Sequence, residues 1–146
     1  MRRHASPRRL GIAAAVLVTL VVAAGVAGAA SGPTVSLTLG GTHAKAMRKC
    51  GDAHADPYLA VARGVPFNLV GSVTPAPKKT VWKVRVVVKR CANGHYTRVW
   101  TGQAPGRKGG VFRLAYTPKT AGLFIAVADY GRRPNVSSRK VRLHVG

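Results

Sequence analysis

The densest run of reactive side chains in this 146-residue chain is Cys50-Gly51-Asp52-Ala53-His54-Ala55-Asp56. In an extended backbone, alternate positions share a face. Cys50, Asp52, His54 and Asp56 would then point together, with His43 as a further donor close by. These are the donor types of a metal centre. The spacing is not that of paired zinc ligands, however, and Cys50 has a better use in a disulfide. The stretch therefore reads as a polar loop in which Asp52 and Asp56 offset Arg48 and Lys49. No metal and no cofactor is expected.

Catalysis is poorly supplied as well. The only carboxylates are Asp52, Asp56 and Asp129, where glycoside hydrolysis needs two flanking one bond. No nucleophile elbow supports a Ser-His-Asp set, and a Cys-His pair would need Cys91 free. Gly102 to Gly110 carries Arg107-Lys108 among glycines but lacks the G-x-x-x-x-G-K-[ST] phosphate loop. It reads as an exposed hairpin loop. No catalytic residue is assigned, and the chain is read as non-enzymatic.

Cys50 and Cys91 are the only cysteines. In an oxidising compartment two cysteines favour one disulfide. Closing a loop of about 42 residues would contribute roughly 4 kcal/mol in the chain-entropy account. The compartment is indicated by the N-terminus. Met1 to Leu10 is basic, Gly11 to Ala30 is uncharged and apolar, and Ala27-Gly28-Ala29 has the small-x-small form of a signal-peptidase site. Residues 1–30 are therefore read as a signal peptide cleaved after Ala29. The alternative is an uncleaved membrane anchor, since twenty helical residues span a bilayer core. Either way residues 31–146 are expected outside the cytoplasm, secreted or in the cell envelope.

The charge balance narrows the partners. The chain holds 24 Lys and Arg against 3 acidic residues. Few of these cations can find an ion-pair partner within the chain. A positive field of this kind draws polyanions: the expected partners are anionic cell-wall polymer, anionic lipid or an envelope protein, with nucleic acid as a further candidate.

The elements that must position these charges are short strands. Thr34–Leu39 alternates Val35, Leu37 and Leu39 with polar residues. Residues 40–57 have no period and read as a long loop pinned by Cys50. Tyr58–Val61 reads as a short edge strand, and Val65–Val73 as a strand. Thr80–Arg90 alternates most clearly, with Trp82, Val84, Val86 and Val88 on one side and Lys83, Arg85 and Lys89 on the other. Asn93-Gly94 marks a tight hairpin, and His95–Thr101 returns from it. Strands at Val111–Tyr116, Leu123–Tyr130 and Ser138–Val145 follow. The pattern predicts an all-β fold: an antiparallel β-sandwich of about seven strands. Residues 31–64 form its N-terminal strand and cysteine-containing loop, and 65–146 its core.

Residues 65–146 resemble the immunoglobulin-like and fibronectin-III-like modules of secreted bacterial proteins. The pieces that carry the likeness include Val65-Pro66-Phe67-Asn68-Leu69-Val70-Gly71-Ser72-Val73-Thr74-Pro75, Val84-Arg85-Val86-Val87-Val88, Gly94-His95-Tyr96 and Gly110-Val111-Phe112. Tyr116-Thr117-Pro118, Ala121-Gly122-Leu123-Phe124 and Ser137-Ser138 complete them. Ala126 stands where antibody-type domains have their second cysteine, and Phe124 where they have the corner tyrosine. The resemblance therefore implies an Ig-like sandwich but not an antibody-type domain.

In such a sandwich the strand after Thr80 and the last two strands share a sheet. Its outer face would carry Lys83, Arg85, Lys89, Lys140 and Arg142 as a candidate anion-binding face. Leu123, Ile125 and Val127 would form an apolar contact stripe among them. The expected function is a non-catalytic exported binding or structural module of the bacterial cell envelope. Extracellular nucleic-acid binding, an envelope-active basic protein and a secreted inhibitor are the alternatives.

Overall fold

Each alternating run in this chain has one apolar face, and the faces are buried by packing sheet on sheet. The computed structural model describes residues 32–51, 54–131 and 135–146. The leader 1–30 and Asp52 lie outside the described residues. The strands are β1 (Thr34–Leu39), β2 (Lys45–Arg48), β3 (Asp56–Val61), β4 (Phe67–Thr74), β5 (Lys83–Ala92), β6 (His95–Pro105), β7 (Val111–Tyr116), β8 (Gly122–Tyr130), β9 (Val136–Ser137) and β10 (Val141–Val145).

They form an immunoglobulin-like β-sandwich. One sheet has the order β1-β4-β7; the other runs β2-β3-β10-β8-β5-β6, with β9 added on β8. Pairing is antiparallel except where β3 lies parallel to β10, Leu59 opposite Leu143. The small sheet contributes Leu37, Leu69, Val73 and Phe112 to the core. The large sheet contributes Val84, Val86, Val88, Phe124, Ala126, Leu143 and Val145. Trp82 precedes β5, is buried, and meets Tyr130 edge to face with ring centroids 5.8 Å apart.

Seven of the strands (β1, β4–β8 and β10) make the sandwich. β3 contains the expected strand Tyr58–Val61, but it is not an edge, because β2 pairs with its outer side; β2 and β9 are additions. β2 lies inside the stretch read as a loop. Lys45–Arg48 pairs with Leu59–Asp56, but most of it is exposed on both faces. An edge strand with nothing to bury on either face shows no alternation. β6 likewise extends past its expected end, through Gly102 and Gln103 to Pro105, pairing with Lys83–Val86. Here the glycines serve packing. A Cβ at Gly102 would collide with the Trp100 ring, and one at Gly106 with the Trp82 ring. The hairpin turn is as expected: Asn93 has φ 51° and Gly94 φ 79°, the left-handed pair that suits a two-residue turn.

A basic groove beside a tyrosine bridge

The outer face of the large sheet is built from alternate residues of β10, β8, β5 and β6. Across one row, Arg142 of β10 stands opposite Ile125 of β8, Ile125 opposite Lys89 of β5, and Lys89 opposite Arg98 of β6. Over this row the structure places a roof. Cys50 and Cys91 form a disulfide with Cα atoms 5.9 Å apart, which ties the segment between β2 and β3 to the end of β5. Tyr58 of β3 then reaches Tyr96 of β6, and their hydroxyls hydrogen bond. Three strands, β10, β8 and β5, separate β3 from β6 in the sheet order, so this bridge passes over all three.

The bridge corrects the apolar stripe. Ile125 is only 3% exposed, and Leu123 and Val127 are half-buried. The middle of the stripe is covered, so its apolar surface is interrupted at Ile125. Tyr58 itself is 1% exposed. The Tyr96 hydroxyl is pushed well above the usual tyrosine range, first by burial and then by its bond to Tyr58. It therefore remains a proton-bearing group throughout the physiological range.

Beside the bridge runs a groove of about 520 Å³ lined by Arg85, Val87, Lys89, Tyr96, Arg98, Val127, Asp129 and Ser137. Val87 and Val127 supply its apolar surface, and cations stand around them. Arg85 donates to Asp129 at 3.0 Å, and Asp129 also accepts from the Ser137 hydroxyl at 2.6 Å. Lys89 and Arg98 meet no carboxylate within salt-bridge distance among the described residues.

The five candidate cations are spread over three hollows, with Arg85 shared between two of them. Arg85 and Lys89 line the groove. Lys83 lies further toward Trp82, in a depression shared with Lys79 and Tyr130. Arg142 is held by Asp56 at 2.9 Å, and it lines a separate hollow with Lys140, Pro57 and Leu59.

Arg98 joins the groove and was absent from the sequence reading. Trp100 pairs with inward-facing Val88, so plain alternation would turn Arg98 inward too. A bulge after Val88 leaves Val99 unpaired and sets Arg98 opposite Lys89, which reverses the phase of the strand's first half. Only the misfit of a basic residue at a core position hinted at this in the sequence.

Three of the donors weighed for a metal are otherwise engaged. Cys50 is in the disulfide, Asp56 holds Arg142, and both His43 ring nitrogens face carbonyl oxygens, of Ala60 at 3.1 Å and Gly40 at 2.9 Å. Among the described residues no three His, Cys, Asp or Glu side chains gather in a metal-binding arrangement.

Fold and groove together define a disulfide-linked, immunoglobulin-like β-sandwich module with a cation-lined outer surface. Among solved structures, the chain is similar to the CARDB domain of the PF1109 protein from Pyrococcus furiosus, crystallised in complex with di-metal ions. Identity is 16%, the match covers 78% of this chain and 87% of that chain, and the TM-score is 0.39. A solution NMR structure of the same domain matches at 15% identity over 77% of this chain and 94% of that one, with a TM-score of 0.38. No protein-family model matches the chain, and no curated protein does.

Proposed function

We propose that this protein is a non-catalytic module exported to the bacterial cell envelope, of the kind its resemblance to secreted immunoglobulin-like and fibronectin-III-like modules implies. In this reading it holds anionic cell-wall polymer in the groove of Arg85, Lys89 and Arg98. The leader-like residues 1–30 support export, and the Cys50–Cys91 bond suits an oxidising destination.

One observation carries the ligand class. Lys89 and Arg98 stand side by side over an apolar floor with no carboxylate partner among the described residues. Uncompensated like charges repel, and an anion laid between them removes the repulsion. Alternate residues of a strand lie about 7 Å apart, so neighbouring outward cations suit a linear polyanion with regularly spaced charges.

The test is co-sedimentation with purified cell wall, with phosphatidylglycerol vesicles and with duplex DNA, at low and high salt. Wall binding that weakens with salt, and that falls at least tenfold in a Lys89→Glu/Arg98→Glu variant, is the expected result. Tighter retention on DNA or vesicles than on wall would replace the ligand. Unchanged wall binding by the variant would remove the groove as the site.

A further inference from the structure

A second cavity lies at the opposite side of β5 and β6, where the two sheets part. It has a volume of about 600 Å³ and is lined by Arg90, Trp100, Tyr116, Phe124, Lys119 and the threonines 117 and 120, among others. That size falls within the range of small-ligand pockets. Its residues are the inward-facing counterparts of the groove: Arg90 stands opposite Phe124, whose ring is in the core.

Arg90 is the unusual member. It occupies an inward position of β5, the face that further along holds Val84, Val86 and Val88. Its Nη2 donates to the Ala121 carbonyl at 3.0 Å, yet its Nε is buried without any hydrogen-bond partner. The Nε is closed off, so it is the part-exposed end of the guanidinium that a ligand can reach, and a charge in such a half-buried place is favoured by an anion beside it. No carboxylate lines this cavity, and a second cation, Lys119, stands at its rim.

The other walls are aromatic and hydroxylated. Trp100 and Tyr116 pack with ring centroids 5.0 Å apart at 51°, and Tyr116 is held from behind by Phe67, edge to face at 5.7 Å. Both rings are only half-buried, so each keeps part of its surface open. The Tyr116 hydroxyl makes no hydrogen bond among the described residues. Burial raises its proton affinity, so it stays a donor.

From these groups we propose that the cavity binds a hexuronic acid unit. The carboxylate would supply the counter-charge that Arg90 lacks. The pyranose ring would lie on Trp100, and its hydroxyls would meet Tyr116, Thr117 and Thr120. The site is independent of the outer groove, because it lies on the other face of the same strands and shares none of its residues.

Calorimetric titration of the disulfide-intact protein with D-glucuronate, D-glucose and benzoate tests the assignment. Hyaluronan tetrasaccharide serves as a polymer-derived arm. Glucuronate is expected to bind saturably, with glucose (no charge) and benzoate (no hydroxyls) each at least tenfold weaker. A tetrasaccharide tighter than the monomer identifies a polymer as the source, and equal affinities identify the free sugar. The Trp100 indole resonance should shift on binding while that of Trp82 stays in place.

Arg90→Gln should lose at least tenfold in glucuronate affinity, and so should Lys119→Glu, an exposed rim change that leaves the fold intact if Arg90→Gln does not. The groove variant Lys89→Glu/Arg98→Glu should bind glucuronate as the parent does. Absence of glucuronate binding, equal affinity for glucose or benzoate, or parental affinity in a folded Arg90→Gln protein would overturn the proposal.

Discussion

The two hydroxyls that meet across the large sheet are unequal partners. Tyr58 is almost wholly buried and Tyr96 is half-buried. Removing one member of a buried pair strands the other, and the cost follows how far the survivor is from water. Tyr58→Phe leaves the wetter hydroxyl behind and is expected to cost about 1 kcal/mol. Tyr96→Phe strands the buried Tyr58 hydroxyl and should cost more, about 1–3 kcal/mol. Chemical denaturation of both variants checks the order.

Tyr96 also sets a pH dependence. Its pKa in the folded state is raised, so protonation favours the fold. Below the unfolded value of about 10 both states carry the proton, and the group is silent. Above about pH 10 the unfolded chain releases its proton first, so stability falls as pH rises. The alkaline decline measured by unfolding should be shallower in Tyr96→Phe than in the parent.

Among the elements, the β5–β6 hairpin shows what an alternating pattern can and cannot reveal. Val84, Val86 and Val88 mark the buried side of β5 without ambiguity, and Asn93-Gly94 marks the turn. The groove was then half legible: Arg85 and Lys89 follow from β5 alone. Arg98 was not, because a single unpaired residue at Val99 reverses the phase, and the one sign of it is a basic residue at a position alternation would bury. Leu123, Ile125 and Val127 alternate with the core residues Phe124 and Ala126. The cover of this stripe was hidden because Cys50 comes from a segment without a period and Tyr58 from a short marginal strand, and only their three-dimensional path brings them over the outer face. The stretch after Trp100 was misjudged because glycine usually interrupts a strand, whereas Gly102 and Gly106 make room for indole rings. Gly102→Ala is expected to cost about 1–3 kcal/mol through overpacking, with the Trp100 near-ultraviolet dichroism changed. An unaffected spectrum at parental stability would refute that role.

For the molecule as a whole, the disulfide and the surplus of charge act in opposite senses. Both described aspartates are taken by arginines, so the remaining cations repel one another across a small body. The Cys50–Cys91 link limits the unfolded chain across a sequence separation of 41. A Cys50→Ala/Cys91→Ala variant is expected to lose about 2–4 kcal/mol. Added salt should recover part of that loss by screening the surface repulsion, which thermal melts of both proteins in a salt series would show.

The parallel seam between β3 and β10 bears on the order in which the protein can assemble. On one side Leu59 pairs with Lys45, near it in the chain; on the other its neighbour is Leu143, far along it. The β3–β10 seam must therefore close over a long stretch of chain before Tyr58 can be laid across the sheet. Long-range closure of this kind is slow. Until the two meet, the large sheet is split between the β2–β3 pair and the β8-β5-β6 group, and the strap over its outer face stays unfastened.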